Sequence, residues 1–301
     1  MRIAVVGARG QLGAAIVQEC SAAHEVTPLG RAELDITDDA AVRDTIARER
    51  PDAIVNCAAY NDVDGAEDHP VDALNVNTLG VRALAQAAEA SGATLVHFST
   101  DFVFDGAASV PYTEGDRPNP RSVYAVSKLL GEWFAMDAPR AFVLRVESLF
   151  GRAAGAAPAK GSVEAIRKAL TSGGQARVFE DRTVSPTYVV DAARATRQII
   201  ESTRGGGRGV GMAPGLYHCV NSGRCTWLEF ARELARQLGV REVDSRLVPV
   251  RTADVPLRAA RPLYCALSNE KLRAAGVAMP AWQDALAQYL ASDVADELSN
   301  R

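Results

Sequence analysis

The opening of the chain restricts the fold more than any other stretch. Arg2 to Val6 is a short β-branched run, and Gly7-Ala8-Arg9-Gly10-Gln11-Leu12-Gly13 follows it directly and opens an amphipathic segment. Glycines at Gly7, Gly10 and Gly13 permit a tight turn and close approach of backbone to a pyrophosphate. The helix N-terminus behind them offers free N–H groups and a partial positive charge. Strand, glycine loop and helix in that order begin a dinucleotide-binding α/β fold; the glycine triplet without that context would be weak.

The second strand bears on which dinucleotide. An NAD site usually ends that strand in Asp or Glu, to hold the adenosine ribose hydroxyls. Here it ends Leu29-Gly30-Arg31, with Arg9 in the glycine loop. Two guanidiniums and no early carboxylate suit a 2′-phosphate, so NADPH is the expected cofactor and NADH the alternative. Asp35 and Ile36 are expected to edge the adenine pocket, the carboxylate bonding the base.

Further along, apolar runs alternate with amphipathic or Ala-rich segments, the pattern of a doubly wound parallel sheet. Strands are expected at Arg2 to Val6, Glu25 to Leu29, Ala53 to Asn56, Thr94 to Ser99 and Ala141 to Val146. Helices are expected at Leu12 to Ser21, Asp39 to Arg48, Val71 to Ala90 and Ser122 to Ala135. Asp38 and Ser122 suit N-caps, and Gly92 sits just past a helix end. After Gly151 the regularity falters. Residues 153–162 and 204–215 read as loose, small-residue loops. Shorter elements follow: helices at Val163 to Thr171, Thr187 to Glu201 and Thr226 to Leu238, and strands at Val178-Phe179 and Leu216 to Val220. The expected architecture is a Rossmann-type domain over residues 1–151, joined by parts of 175–220. A smaller substrate lobe, mostly within 152–301, is interleaved with the last elements of the sheet.

Composition narrows the setting. The chain has 301 residues, is 48% hydrophobic and carries a net charge of -4, which argues against nucleic acid as a partner. No run of about 18 uncharged apolar residues exists to span a membrane, and the N-terminal apolar run is too short for a signal peptide. The five cysteines lack Cys-x-x-Cys spacing and the four histidines are scattered. A reducing, cytoplasmic setting is expected, with no disulfide framework and no catalytic metal.

Tyr124-Ala125-Val126-Ser127-Lys128 puts a phenol and an ammonium four residues apart on one helix face. A nearby cation stabilises a phenolate and lowers the tyrosine pKa, which makes the phenol a usable general acid. The lysine can also hold the nicotinamide ribose. Thr100 falls where the fourth strand ends, the edge at which open α/β sheets bind ligands. Its hydroxyl can hydrogen-bond a substrate carbonyl oxygen as that oxygen gains charge. Thr100 and Asp101 could instead be a turn cap. Asn56, Ala58, Ala59 and Tyr60, after the third strand, should flank the nicotinamide-side ribose. Asn77 is expected to bond backbone near the site.

At these residues the chain resembles the dTDP-4-dehydrorhamnose reductase family, within the extended short-chain dehydrogenases. The matching pieces include Gly10 to Gly13, Leu34 to Asp38, Asn56 to Tyr60, Val63-Asp64 with Ala66-Glu67, and Ser99-Thr100-Asp101 with Val103 to Gly106. Tyr124 to Lys128 with Gly131-Glu132, Ser185 to Val189, Gly215 to His218, Trp227 to Ala231, Arg261-Pro262 and Trp282 complete them. The resemblance implies Thr100, Tyr124 and Lys128 as the catalytic trio, with hydride passing from the nicotinamide to the C4 carbonyl of a nucleotide-linked deoxysugar. Thr100, Asp101, Phe102 and Ser148 would face the substrate, and Arg261 would hold its diphosphate. The oligomeric state stays open: helix pairs make homodimers frequent in related folds, but no residue of the sequence proves one.

Departures from the family pattern bear on the substrate. Where the family usually has Arg-Thr-Ser-Trp-Val-Tyr-Gly, this chain reads Arg145-Val146-Glu147-Ser148-Leu149-Phe150-Gly151. The aromatic that Ser148 replaces would pack against the sugar, and a carboxylate at Glu147 is unexpected. Gly65 stands where a lysine is common, and Arg182 where a glutamine is. Two other readings stay open: a reductase or epimerase of another nucleotide sugar, and a non-catalytic NADP-binding regulatory subunit resembling the β subunit of methionine adenosyltransferase.

Overall fold

The computed structural model of the chain describes residues 1–153, 161–203 and 211–299, residues 293–299 as backbone only. The loops expected at 153–162 and 204–215 fall largely outside the described residues. The first half runs β1 (Arg2–Val6), α1 (Gln11–Ser21), β2 (Glu25–Leu29), α2 (Asp39–Glu49), β3 (Ala53–Asn56), α3 (Gly65–Asp68), α4 (Pro70–Leu74) and α5 (Gly80–Ser91). It continues through β4 (Thr94–Thr100), α6 (Val123–Met136), β5 (Ala141–Val146) and β6 (Leu149–Phe150). The second half holds α7 (Ser162–Thr171), β7 (Ala176–Phe179), β8 (Thr183–Val184), β9 (Thr187–Tyr188), α8 (Val189–Ser202), β10 (Gly215–His218) and β11 (Cys225–Thr226). It closes with α9 (Trp227–Gln237), α10 (Val243–Arg246), β12 (Leu247–Val250), α11 (Glu270–Ala274) and α12 (Trp282–Ser299).

Six parallel strands form the main sheet in the order β10-β5-β4-β3-β1-β2. Its central strands are buried on both faces, which is why they read as continuous apolar runs. Alternate residues serve opposite sides. Ile3, Val5, Val55, Val96 and Leu144 face α1 and α8, whereas Ala4, Val6, Ile54, Leu95 and Val143 face α2, α5 and the end of α6. The strand order reverses between β1 and β3. The glycine loop after β1 and the loop after β3 therefore open a crevice at the C-terminal edge of the sheet.

The chain leaves the sheet after β5, returns with α8 and β10, and leaves again. Three two-stranded pairs, β6-β9, β7-β12 and β8-β11, hold the second lobe together. An aromatic group joins the lobes: Phe150 packs against Tyr188, Phe230 and Tyr289, and Phe230 against Trp227 and Trp282.

Two sequence expectations need revision. The long helix expected over Val71 to Ala90 is broken by a π turn at Asn75–Leu79. The extra residue per turn brings the Asn77 side chain inward, where it accepts from Tyr60 N at 2.8 Å and donates to Ser127 Oγ at 3.0 Å. Gly131 of α6 then lies so close that an added Cβ would sit 2.2 Å from the Asn77 carbonyl oxygen. The helix expected from Thr187 begins only at Val189, because Thr187 and Tyr188 pair with β6.

Candidate active site

The glycine loop is built for close backbone contact. Gly7 has φ 74°, and a Cβ there would lie 2.6 Å from Ala58 N; at Gly13 it would lie 2.3 Å from the Gly7 carbonyl oxygen. No side chain caps the start of α1, and its first turn carries no acidic residue. The N–H groups of Gln11, Leu12 and Gly13 thus have no acceptor within the helix, which suits an anionic pyrophosphate. Gln11 itself is anchored, Nε2 donating to the Gly151 carbonyl at 2.6 Å.

At the end of β2 the sequence reading is corrected. It found no early carboxylate, yet Glu33 folds back to that position. Glu33 Oε2 accepts from Gly30 N at 2.9 Å, and Oε1 accepts from the Arg9 guanidinium. A tight turn after Gly30, closed by Glu33 N donating to the Gly30 carbonyl, brings the carboxylate around. Asp35, expected to bond a base, has local partners instead. It accepts from Thr37 N at 3.0 Å and Thr37 Oγ1 at 2.8 Å, and lies 3.5 Å from Arg31 Nε. These bonds hold its carboxyl below the usual range, the Thr37 backbone bond first. Ile36 is buried against Gly80 of α5.

Asn56 is also turned inward. Its Nδ2 meets His97 Nδ1 at 3.1 Å and its Oδ1 accepts from Ala58 N at 3.0 Å, so it shapes the loop after β3. Tyr60 is held through its backbone by Asn77.

A cavity of about 260 Å³ gathers most of the other expected residues. Its walls include Gly10 to Gly13, Ala58, Ala59, Thr100, Asp101, Tyr124, Lys128, Glu147 and Ser148. Tyr124 stands in the first turn of α6, whose start is fixed by two acceptors: Ser122 Oγ takes Ala125 N, and Glu67 takes Val123 N at 2.8 Å. Glu67 was recognised as part of a matching motif, but its capping role spans 56 positions and left no local signal. Thr100 Oγ1 donates to Asp101 Oδ1 at 2.9 Å and accepts from Phe102 N at 3.2 Å. Lys128 is buried and donates to the Phe98 carbonyl at 2.6 Å.

The expected lowering of the tyrosine pKa by Lys128 is not found in this geometry. Burial first, then the charge of Asp101, push the Tyr124 phenol up to about 12. Burial draws the Lys128 amine down to about 8, with Glu132 and Cys57 acting the other way. Phe102 and Arg261 fall outside the cavity walls. Phe102 meets the Tyr124 ring edge-on at 6.0 Å. Arg261, expected at a diphosphate, binds Asp64 at 2.9 Å and the Ala259 carbonyl at 3.2 Å. Its guanidinium ties the second lobe to the segment before α3. A larger hollow of about 560 Å³ lies at the opposite edge of the sheet, between Met1, Arg43, Ala87 and Arg140, away from the strand ends where open α/β sheets place chemistry.

A glycine loop at a helix N-terminus, facing a threonine, a tyrosine and a lysine across one cleft, defines an NAD(P)H-dependent oxidoreductase of the short-chain dehydrogenase type. The chain belongs to the dTDP-4-dehydrorhamnose reductase family: the family model described as RmlD substrate binding domain matches residues 1–294. A dTDP-4-dehydrorhamnose reductase of Mycobacterium tuberculosis is 36% identical over 298 residues, covering 97% of this chain and 93% of its own. A probable dTDP-4,6-dihydroxy-2-methyloxan-3-one 4-ketoreductase of Streptomyces antibioticus is 35% identical over 305 residues, covering 99% and 97%. Among solved structures, a dTDP-4-dehydrorhamnose reductase of Bacillus anthracis in complex with NADP superposes with a TM-score of 0.86 at 31% identity, covering 96% of this chain and 98% of that one.

Proposed function

We propose that the protein uses NADPH to reduce the 4-keto group of a nucleotide-linked deoxysugar, with Tyr124 as general acid. The observation that carries this reading is the convergence of Thr100, Tyr124 and Lys128 on the cavity that the glycine loop enters. The relatives' names supply the substrate class, and the NADP complex of the Bacillus anthracis protein supports the choice of cofactor.

The residues fit a dinucleotide. The protein's own backbone fills the space beside Gly7 and Gly13, which keeps the loop tight and free of side chains there, and the uncapped start of α1 would hold the pyrophosphate. Arg9 and Arg31 would meet the 2′-phosphate, and Ala58 and Ala59 the nicotinamide side. When bound, the cofactor supplies hydride.

The protein's own part is to hold the carbonyl and deliver a proton. Tyr124 stays a neutral phenol across the physiological range, the form an acid must have, and it is still more acidic than the alcohol it would protonate. Lys128, anchored on the Phe98 carbonyl, adds positive charge near the developing oxyanion while it is protonated. Thr100 faces the same oxygen. The interlobe aromatic group fixes the second lobe over the cleft, so binding of the nucleotide portion can position the sugar. Tyr124→Phe tests the assignment: kcat should fall about a hundredfold or more while NADPH affinity is kept. Retained turnover would refute it.

A specific observation favours a second reading. Glu147 and Ser148 line the cavity in place of the residues usual in the family, and Ser148 has a left-handed backbone, φ 45°. A keto sugar with a different substitution pattern, as the name of the Streptomyces antibioticus relative describes, would suit such a wall. Parallel assays of the two keto sugars, comparing kcat/KM, decide between them. We assign a homodimer, which the sequence left open, to the face where Val71, Leu79, Val126, Trp133 and Met136 are exposed on and around α4 and α6.

A further inference from the structure

Beside Thr100, at the inner wall of the cavity, lie buried titratable groups to which the proposed reduction gives no role of their own. Asp101, Glu147 and Cys265 each bring an oxygen or sulfur atom within 4.8 Å of the other two, and all three residues are buried. Glu147 accepts from Ser185 N at 2.7 Å through one oxygen; the other is buried without a partner. Asp101 accepts from the Thr100 hydroxyl at 2.9 Å, and the Cys265 thiol beside it donates to the Pro262 carbonyl at 3.5 Å.

The surroundings do not compensate two negative charges. The Arg182 guanidinium, just before β8, acts on both carboxyls. The other titratable groups that feel the pair are neutral at ordinary pH: Tyr124 of α6, Cys225 of β11, and Tyr264 and Cys265 from the segment after Arg261. Two carboxylates this close in a closed site do not both ionise, so the pair keeps a proton. The spacing alone would also suit a cation, but burial holds the Cys265 thiol protonated and Arg182 already brings positive charge.

That proton decides what Thr100 can do. With Asp101 ionised, the Thr100 hydroxyl points its hydrogen at the carboxylate and offers a substrate carbonyl only lone pairs. With Asp101 protonated, the carboxyl can donate to Thr100 and release the hydroxyl to donate outward. We propose that Glu147 shares a proton with Asp101 and so turns the Thr100 hydroxyl into a donor to the carbonyl oxygen being reduced. Glu147 is a positioning residue, acting through Asp101 and Thr100. Burial favours the arrangement, raising Asp101 to about 6 and Glu147 well above the ordinary carboxylate range, and the Asp101 charge raises Glu147 further. The inference rests on the reading of Thr100 as the group that meets the substrate oxygen.

Infrared spectroscopy of the full chain across pH reads the pair without turnover. The wild type should keep a protonated-carboxyl C=O band at neutral pH, and Glu147→Gln should lose it, because Asp101 then ionises as a lone acid beside an amide donor. In the reductase assay Glu147→Gln should lower kcat about tenfold or more with KM for NADPH unchanged. Asp101→Asn removes the titration, since its amide can donate to Thr100 at every pH. Whatever its absolute kcat, that kcat should stay level over the pH range where the wild-type band and kcat decline together. An unchanged band in Glu147→Gln, or a kcat in Asp101→Asn that still declines with pH as the wild type's does, would overturn the proposal. Absence of wild-type turnover on any keto sugar would instead defeat the functional reading, and the infrared titration would still judge the carboxyl pair.

Discussion

Glu33 shows how one carboxylate can set cofactor preference from a position that sequence spacing hides. It holds Arg9 while accepting from Gly30 N, so the guanidinium nearest the glycine loop is already neutralised. Both side chains are exposed enough for the pair to contribute little to stability, 75% and 39%. Glu33→Gln should therefore leave the fold unchanged and free Arg9, raising kcat/KM for NADPH relative to NADH by about three- to tenfold. An unchanged ratio in steady-state kinetics would remove Arg9 from the account. Lys128 makes a different prediction. Its folded pKa, about 8, lies below its ordinary value of 10.5. The penalty for charging a buried amine is thus fully present below about 8 and disappears as pH rises through about 10.5. Lys128→Met should abolish turnover yet raise stability by about 1–3 kcal/mol at neutral pH, read by denaturant unfolding; a loss of stability would contradict the burial argument. Thr100, Tyr124, Lys128 and the glycine loop, which line one cavity, were legible because each sits in a short local pattern. Glu33, Asp35 and Arg261 were read less well, because a side chain's partner depends on how a turn folds it back.

Among the elements, the strands of the sheet were the most legible, since burial on both faces leaves an unbroken apolar signature. The π turn at Asn75–Leu79 was not, because its cause lies in Tyr60 and Ser127, far away in sequence. The two-residue strands β6, β8, β9 and β11 are too short to carry a period, and α12 carried no sequence expectation. The tie between α6 and β5 was equally hidden. Arg145 is almost fully buried and meets Glu132 through two bonds, 2.8 and 2.7 Å, with its guanidinium over Phe104. Arg145→Met would leave Glu132 buried and alone, at a cost of about 3–5 kcal/mol; a smaller loss would mean water reaches the site. Beside them, burial pushes His218 down to about 3 and lowers His97 of β4 as well. A histidine kept neutral when folded contributes stability above its unfolded pKa, about 6.5, and loses it as pH falls toward the folded value. Unfolding free energy should drop by up to about 2 kcal/mol per histidine between pH 7 and pH 5, and His218→Asn should flatten that slope.

At the scale of the molecule, the two lobes meet over the C-terminal edge of the sheet, and the aromatic group around Phe150 keeps the cleft between them in register. Among the described residues no helix is long and apolar enough to cross a membrane. The largest exposed aromatic is Trp133, 62% exposed on α6. If that face joins two copies, wild type should have twice the chain mass by light scattering and Trp133→Glu the single mass; equal masses would remove this face from the assembly. The interleaving of sheet and second lobe follows from the return of α8 and β10 after the chain has left the sheet. The central claim is the chemistry in the cleft, and its most direct test is NADPH consumption, followed by absorbance, on addition of dTDP-4-dehydrorhamnose, with NADH in parallel. The account predicts stoichiometric oxidation with NADPH preferred. NADPH binding without oxidation, on this or any related 4-keto sugar, would contradict it.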